Sequence, residues 1–358
     1  MIAPAPRTRV MIVEDSLVVR QLLAHIVASD PRLSVVAAVS SGEEALQEIR
    51  RVEPDVISMD IRLPGIDGLE TTRRIMSERP TPIVVIADAV EDSSLRISMN
   101  ALRAGALSVV EKPVATTSAS YADIAKTICT QLFIMSQVPV IRRRSIRVRT
   151  PIFPAAGPSA AFPAGAATRP TVMGIAASTG GPPALARVLG ALPPRFPIPI
   201  LLVQHMGASF MEGFASWLNG IVPLAVSIAQ DQAPLEPGRV YVAPGDRHLV
   251  LGAGGVLRIS AAPPVGGQRP SANVLFQSIA KVAGERGLGV LLTGMGEDGA
   301  IGLSELRAAG GGTIAEHEST AVVYGMPAAA VRMGAVEAAL PLDLIGPRLL
   351  RIAGEEGA

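Results

Sequence analysis

Three polar side chains that together could cleave an ester or an amide follow apolar segments in the second half of the chain. Ser178 follows the apolar segment 172–176 and is flanked by small residues, which permit the tight turn that presents a nucleophile. His205 and Asp298 follow two later apolar segments. If these strand ends converge, the three side chains can act as nucleophile, general base and orienting acid. The backbone N–H of Met295 and those of neighbouring glycines could then stabilise an oxyanion.

Each of these residues also has an interpretation without catalysis. Ser178 could cap a helix or belong to a glycine-rich phosphate-binding loop, His205 could be a hydrogen-bonded strand-end histidine, and Asp298 could cap the helix that follows it. Their joint placement after three separate strands favours a triad. Its chain order, Ser, His, Asp, differs from the order in common α/β-hydrolases. His248, in an expected hairpin loop, and His317, in a polar surface segment, are weaker candidates for the base, and histidines this widely spaced do not indicate a zinc site.

Charged residues follow three apolar segments in the first half of the chain. Glu14 and Asp15 follow the first segment, Asp60 the third and Lys112 the fifth. An aspartate at one strand end is more often a cap or a turn residue, but four such groups at the expected strand ends favour a site. Clustered carboxylates suit Mg²⁺, which prefers oxygen ligands. Asp60 could then accept a phosphoryl group, and Lys112 could neutralise the phosphoryl oxygens.

Short apolar strands that alternate with helical segments must position both the Ser178 group and the acidic group around Asp60. The chain has 358 residues, 49% hydrophobic and 18% charged, which suits two compact domains. Strands are predicted at 10–13, 33–37, 56–59, 83–86 and 107–110 in the first half, and at 171–175, 198–203, 224–228 and 290–292 in the second. Segments 239–243 and 255–259 suggest a hairpin-type insertion. Alternation of this kind predicts two α/β domains with doubly wound parallel sheets, whose chemistry lies at the carboxyl ends of the strands.

Residues 136–170 differ in composition from the segments on both sides. They are rich in proline and alanine, contain an arginine run within 142–149 and lack acidic residues. We predict a linker there, between domains at 8–135 and 171–350. The arginines raise the alternative of a transcriptional regulator that binds DNA. No helix-turn-helix pattern accompanies them and aromatic residues make up only 3% of the chain, so we expect no nucleic-acid partner.

The chain lacks the features of a membrane or secreted protein. No apolar segment approaches the roughly 18 residues that a membrane-spanning helix needs, and the N-terminus has no signal-peptide pattern. The single cysteine, Cys129, cannot form an internal disulfide and is predicted to pack in a core. We therefore expect a cytoplasmic protein without membrane insertion.

Three segments of the first half resemble the response-regulator receiver family. They are 13–16 (VEDS), 55–69 (DVISMDIRLPGIDGL) and 111–113 (EKP). The resemblance implies a flavodoxin-like domain with Asp60 as phosphoacceptor, Glu14, Asp15 and Asp60 as Mg²⁺ ligands, Lys112 as the phosphoryl-stabilising cation and a chemotaxis histidine kinase as phosphodonor. One position departs from the family: Ala87 stands where receivers usually have Ser or Thr, and Asp88 follows it. The missing hydroxyl removes a hydrogen bond to the phosphoryl group, which puts the conformational switch in doubt.

Six ordered segments of the second half resemble the chemotaxis protein-glutamate methylesterase family. They are 177–182 (ASTGGP), 204–206 (QHM), 235–244 (LEPGRVYVAP), 269–276 (RPSANVLF), 292–299 (LTGMGEDG) and 320–327 (TAVVYGMP). The resemblance implies a Rossmann-like domain with catalytic Ser178, His205 and Asp298, the Met295 amide as oxyanion donor and Thr179 in the site. It also implies methyl-accepting chemoreceptors as substrates, with deamidation of some receptor glutamines. Gly207 and the stretch 316–318 depart from the family, which has Pro and a stretch richer in Gln and Asp there.

The two constellations together predict a phosphorylation-controlled serine hydrolase that demethylates chemoreceptors in adaptation. The chemistry needs Mg²⁺ for receiver phosphorylation and no cofactor for ester hydrolysis. The alternative from another class is a non-catalytic module that binds the kinase and the receptors in a phosphorylation-dependent way.

Overall fold

The computed structural model describes residues 6–87, 100–102, 104–113, 118–138 and 169–354, without the side chains of 118–120. The strands are β1 (Thr8–Val13), β2 (Leu33–Val39), β3 (Val56–Met59), β4 (Ile83–Ala87), β5 (Ser108–Glu111), β6 (Val172–Ala177), β7 (Ile200–Gln204), β8 (Ala225–Ile228), β9 (Arg239–Val242), β10 (His248–Gly252), β11 (Val256–Ser260), β12 (Gly287–Leu291), β13 (Gly312–Glu316) and β14 (Ala338–Leu340). The longer helices are α1 (Leu17–Ser29), α2 (Gly42–Val52), α3 (Gly68–Glu78), α4 (Ser118–Met135), α5 (Gly181–Gly190), α6 (Met211–Asn219), α7 (Ala272–Ala283), α8 (Ala300–Ala308), α9 (Met326–Arg332) and α10 (Leu342–Ala353).

The first sheet has the strand order β2-β1-β3-β4-β5, and every neighbouring pair is parallel. This is the flavodoxin-like order, so the predicted fold of the first domain is confirmed. All residues of β3 and β4 are buried, which explains why both read as continuous apolar segments. Because Val13 is in register with Met59, the residues that follow them, Glu14 and Asp60, emerge side by side at the carboxyl edge.

The second sheet has the order β14-β13-β12-β6-β7-β9-β8 and is also entirely parallel. Strand β6 lies between β12 and β7, so the direction of winding reverses at β6, where open α/β sheets bind ligands. Ala177 is in register with Gln204, and Ala176 with Leu291. The segments that carry the three candidate catalytic residues therefore leave the sheet at one edge.

The predicted hairpin of segments 239–243 and 255–259 is wrong for its first segment. Strand β9 lies inside the main sheet, parallel to both β7 and β8, and the hairpin is formed by β10 and β11 instead. Val240 and Val242 are fully buried, as the interior of a parallel sheet requires, and the short apolar pattern of β9 does not distinguish this place from a hairpin. Strands β13 and β14 were not predicted because they are short and contain Ala, Gly and Thr rather than runs of Val and Ile.

Several other expectations concern residues away from the sites. Cys129 is buried in the core of the first domain, as predicted, and its Sγ donates to the backbone oxygen of Ile26. Most of the expected linker, including the arginine run within 142–149, lies at 139–168, outside the described residues. Within the described residues, no helix combines the length and the apolar character needed to cross a membrane.

Candidate active site

Ser178 occupies a tight turn between β6 and α5. Its backbone N–H donates to the oxygen of Thr293 at 3.0 Å, which ties the turn to the loop that follows β12. Gly180 has a φ of +77° at the N-terminus of α5, a conformation that glycine adopts without strain. A Cβ atom placed on Gly294 would lie 2.8 Å from the Cβ of Ser178. The backbone of the 293–295 loop can therefore approach Ser178 closely because position 294 has no side chain.

His205 and Asp298 form a hydrogen-bonded pair. The Nε2 atom of His205 lies 2.9 Å from Oδ2 of Asp298, and both side chains are nearly buried. His205 lines the same cavity as Ser178, and its Nδ1 has no hydrogen-bond partner among the described residues. Because Nε2 is engaged by the carboxylate, Nδ1 is the ring atom that can act as a base towards Ser178.

Asp298 lies at the N-terminus of helix α7 rather than capping the helix that follows it. Its carboxylate accepts hydrogen bonds from Ser271 Oγ at 2.8 Å and from the amides of Ala272 and Asn273 at 2.6 and 3.1 Å. Burial raises the pKa of Asp298, but the hydrogen bonds from His205, Ser271 and Ala272 outweigh burial and hold this pKa below its usual value. The ionised carboxylate that an imidazolium needs is thus stabilised by helix N-H groups.

The other two candidate bases lie elsewhere. His248 is not in a hairpin loop: it begins β10, is fully buried, accepts a hydrogen bond from the Ser271 amide on Nδ1 and lies 3.1 Å from the oxygen of Pro263 through Nε2. His317 is exposed, as predicted, and its Nδ1 contacts Ser319. Both imidazoles are hydrogen-bonded away from Ser178, so His205 is the base that the geometry favours.

Met295 follows Gly294 in the loop beside Ser178. The Gly294 amide is engaged by the oxygen of Val323, and the Gly294 oxygen accepts from the amides of Gly325 and Met326. Within the described part of the chain, the Met295 amide donates no hydrogen bond. This leaves the Met295 N–H available for an oxyanion, in the role that the sequence predicts.

Several residues that support the site were not assigned a role from the sequence. Gln204 is buried at the end of β7, and its Nε2 donates to the backbone oxygens of Ser178 and His205, so it braces nucleophile and base together. Thr293 is fully buried and donates its hydroxyl to the oxygen of Thr179. A polar residue in an otherwise apolar strand, as at Gln204, is the sequence feature that could have revealed such a role.

The carboxylates of the first domain meet as the sequence predicts. Glu14, Asp15 and Asp60 offer oxygen atoms within 4.8 Å of one another. Lys112 Nζ lies 3.0 Å from both Glu14 and Asp60. Burial and the Asp60 charge raise the pKa of Glu14 to about 7, and burial also raises the pKa of Asp60 despite Lys112. The three carboxylates offer only oxygen ligands, and their negative charges repel one another. This ligand set fits a hard divalent cation such as Mg²⁺.

The departure at Ala87 is visible beside this site. Ala87 ends β4, is buried and pairs with Glu111 of β5. Its methyl group offers no hydrogen bond to a phosphoryl group on Asp60. Asp88, the next residue, lies outside the described residues.

The first domain packs over the mouth of the candidate active site. A cavity of about 370 Å³ is lined by Ser178 and His205 on one side and by Glu111 and Gln131 on the other. Gln131 Nε2 of α4 donates to Thr179 Oγ1 at 3.3 Å. The hydroxyl of Ser209 donates to Glu111 at 3.4 Å. Access to Ser178 therefore depends on how the two domains are packed.

The fold and the site geometry define the class of this protein. It is a two-domain α/β protein with a receiver-type acidic site and a serine hydrolase-type site. Two protein families match the chain, one for each domain. The response regulator receiver domain matches residues 10–120, and the CheB methylesterase matches residues 173–349. The chain belongs to the CheB methylesterase family, with an N-terminal receiver domain.

Similar proteins cover nearly the whole chain. A relative from Paramagnetospirillum magneticum, named protein-glutamate methylesterase/protein-glutamine glutaminase 2, is 52% identical over 98% of this chain and 99% of its own length. A relative from Myxococcus xanthus with the same name and the number 4 is 45% identical over 95% of this chain and 96% of its own. The crystal structure of the Thermotoga maritima CheB methylesterase catalytic domain is 34% identical, with a TM-score of 0.50, and covers 52% of this chain and all of that one.

Proposed function

We propose that this protein is a phosphorylation-controlled serine hydrolase that acts in the cytoplasm on methyl-accepting chemoreceptors. It removes methyl groups from glutamate methyl esters and deamidates selected glutamines during chemotactic adaptation. The observation that carries this proposal is that Ser178 lines one cavity with His205, whose ring is hydrogen-bonded to Asp298. This chain matches relatives over nearly their full length, and the names of those relatives support the same activity.

The chemistry follows from the positions of these groups. His205 Nδ1 takes the proton of the Ser178 hydroxyl, whose oxygen attacks the carbonyl carbon of the glutamyl ester. Asp298 fixes the imidazole through Nε2 and stabilises the imidazolium that forms. The Met295 amide donates to the developing oxyanion. When the tetrahedral intermediate collapses, His205 returns the proton to the leaving methoxide, and methanol departs.

Deacylation repeats these steps with water as the nucleophile. His205 takes a proton from the water, the hydroxide attacks the acyl-Ser178 carbonyl, and the proton returns to Ser178 as the glutamic acid side chain leaves. This carboxylic acid then loses its proton to water and becomes the carboxylate. With a glutamine side chain as substrate, the leaving group is ammonia instead of methanol. Thr179, next to the nucleophile, lines the path that the substrate takes.

The receiver controls access to this chemistry. In the unphosphorylated protein, Gln131 contacts Thr179 and Glu111 contacts Ser209, so the receiver covers the site against a substrate as large as a receptor. A chemotaxis histidine kinase supplies the phosphoryl group to Asp60, and Lys112 compensates its charge. Phosphorylation weakens the domain contact and shifts the population towards the uncovered state.

Glu14, Asp15 and Asp60 would hold the Mg²⁺ ion that this phosphorylation requires. When bound, the ion neutralises charge on the phosphoryl group during its transfer. The two flanking carboxylates orient towards the same space as Asp60, and Lys112 keeps the cluster from carrying its full negative charge.

Methanol release from methylated chemoreceptor membranes tests the proposal directly. We expect the full-length protein to release methanol, a small-molecule phosphodonor to increase the rate, and Ser178→Ala to abolish release. Release that depends on Ser178 but ignores the donor would retain the esterase and reject the switch. Absence of release with and without donor would favour the alternative of a non-catalytic binding module.

A further inference from the structure

Glu316 is a fully buried carboxyl group behind the 293–295 loop. It ends β13, and the register of β12 with β13 brings it alongside the end of β12. Its Oε2 accepts a hydrogen bond from the Thr293 amide at 2.9 Å. Within the described residues, no Lys, Arg or His forms a salt bridge with it. A buried carboxyl without a cation is unusual, because removing an unpaired charge from water is costly.

The other polar groups of Thr293 bind the backbone around the nucleophile. The Thr293 oxygen accepts from the Ser178 amide at 3.0 Å. Its hydroxyl donates to the oxygen of Thr179 at 2.9 Å and accepts from the Val323 amide at 2.9 Å. Of the next two residues, Gly294 lies close to Ser178, and Met295 has the backbone amide that donates no hydrogen bond within the described residues. A shift at Thr293 therefore moves the nucleophile and the oxyanion donor relative to each other.

The second oxygen of Glu316 distinguishes the neutral form from the ionised one. Oε1 is buried and has no hydrogen-bond partner among the described residues. Within the part of the chain that the structure describes, an ionised carboxylate would have no cation and only the Thr293 amide and the Thr320 hydroxyl to support its charge, whereas a neutral carboxyl accepts the Thr293 N–H on one oxygen and carries a proton on the other. Burial raises the pKa of Glu316, and the Thr293 amide and the Thr320 hydroxyl lower it only in part. Neither of those groups titrates, and His317 and Glu318, which follow on the chain, are exposed.

We propose that Glu316, as a neutral carboxyl group, is a positioning residue for the hydrolysis: it fixes the Thr293 peptide and, through it, Ser178 and the Met295 amide. The inference rests on the proposed function in one respect, that Ser178 is the nucleophile. It predicts that an amide can replace this carboxyl, since an amide offers the same acceptor and no charge. It also predicts that loss of the acceptor disturbs the chemical step more than substrate binding.

The test compares Glu316→Gln, Glu316→Leu and the control Glu318→Leu, which changes an exposed neighbour. We expect Glu316→Gln and Glu318→Leu to keep kcat within about twofold of the unchanged protein. We expect Glu316→Leu to lower kcat for methanol release about 10- to 100-fold, with a much smaller change in KM, because misplacing a reacting group costs up to about 100-fold. Full activity of Glu316→Leu, or an equal loss in Glu316→Gln, would overturn the proposal.

A pH profile of kcat keeps the proposal testable if Glu316→Leu does not fold. As the pH rises through the raised pKa of Glu316, its ionisation places a charge beside Thr293 that no cation of the described residues compensates, so the unchanged protein loses kcat. Glu316→Gln has no such group and retains kcat there. Identical pH profiles of kcat in the two proteins would contradict a neutral Glu316.

Labelling by a fluorophosphonate probe separates this inference from the proposed function. The probe reacts with an activated serine and needs no receptor. We expect the labelling of Ser178 to slow in Glu316→Leu and to stay unchanged in Glu316→Gln and Glu318→Leu. This pattern without methanol release would reject the proposed substrate and retain the role of Glu316, whereas methanol release with equal labelling in all variants would reject the role of Glu316 alone.

Discussion

Asp298 accepts a hydrogen bond from Nε2 of His205 at 2.9 Å while it also accepts from the first amides of helix α7. The carboxylate is therefore held from two sides, by the imidazole that it orients and by a helix N-terminus that favours negative charge. This arrangement fixes the tautomer of His205 with the proton on Nε2 and leaves Nδ1 for the proton of Ser178. A helix from a separate segment thus holds the carboxylate that orients the histidine.

Replacing Asp298 by Asn should remove this orientation. An amide in its place presents N–H groups to other N–H groups and cannot stabilise an imidazolium, so we expect kcat for methanol release to fall about 10²- to 10⁴-fold. The matched control is Asp343→Asn, which removes an exposed ion pair with Arg187 and should leave kcat unchanged. Steady-state kinetics on methylated receptors measure both. A fall of less than about threefold in Asp298→Asn would contradict the assigned role.

Asp298 should also contribute to stability in a defined pH range. Its folded-state pKa lies below the ordinary value of 3.8, so the folded protein binds fewer protons than the unfolded chain. The contribution is therefore fully present above about pH 4 and is lost as the pH falls through the lowered pKa. Urea unfolding followed by the fluorescence of Trp217, the single tryptophan and a buried residue of α6, reports the free energy of this domain. The difference between the unchanged protein and Asp298→Asn should shrink on acidification, and a difference that grows would contradict this sign.

Ser271 should matter for both stability and activity. It caps α7 through the Val274 amide and donates to Asp298, so Ser271→Ala should lower the free energy of unfolding by about 1 kcal/mol. Loss of one hydrogen bond to the carboxylate should also lower kcat several-fold, because a hydrogen bond to a charged group contributes a larger free energy than one between neutral groups. The control is Ser41→Ala, which removes the cap of α2 far from the site. Equal effects of the two substitutions on kcat would show that Ser271 acts only as a cap.

The contact between Gln131 and Thr179 predicts a gain of activity. Gln131→Ala removes a hydrogen bond worth about 1 kcal/mol that favours the covered state, so basal methanol release without phosphodonor should rise about two- to fivefold. Gln137→Ala, two positions beyond the end of the same helix and exposed, should leave the basal rate unchanged. The rate with saturating phosphodonor should be similar in all three proteins. An unchanged basal rate in Gln131→Ala would show that this hydrogen bond does not hold the domains together.

Chelation of divalent cations should separate the two activities. With excess EDTA, phosphodonor should no longer accelerate methanol release, because Glu14, Asp15 and Asp60 then lack the cation that phosphorylation needs. The basal rate should persist, since Ser178 and His205 use no metal. Asp60→Asn should reproduce the EDTA result in the presence of Mg²⁺. Loss of the basal rate on chelation would contradict a metal-free esterase.

Much of the fold followed from local patterns. The five strands of the first sheet were predicted because each is a short apolar run, and the charged residues that follow them predicted the acidic site. Strand β9 was misplaced because a short run such as Arg239–Val242 has the same sequence pattern in a hairpin and in a parallel sheet. Strands β13 and β14 were not predicted, and therefore the position of Glu316 at the end of β13 was not predicted either.

The sequence by itself determined which side chains could do chemistry and at which strand ends they lie, because parallel strands bring their carboxyl ends to one edge whatever the remaining packing. Only the tertiary structure decided that His205 meets Asp298 through Nε2, that Asp298 lies at the start of α7 and that Gln131 reaches Thr179. These contacts join residues from distant segments. Their geometry depends on how helices and domains pack, and hydrophobic periodicity along the chain carries no record of that packing.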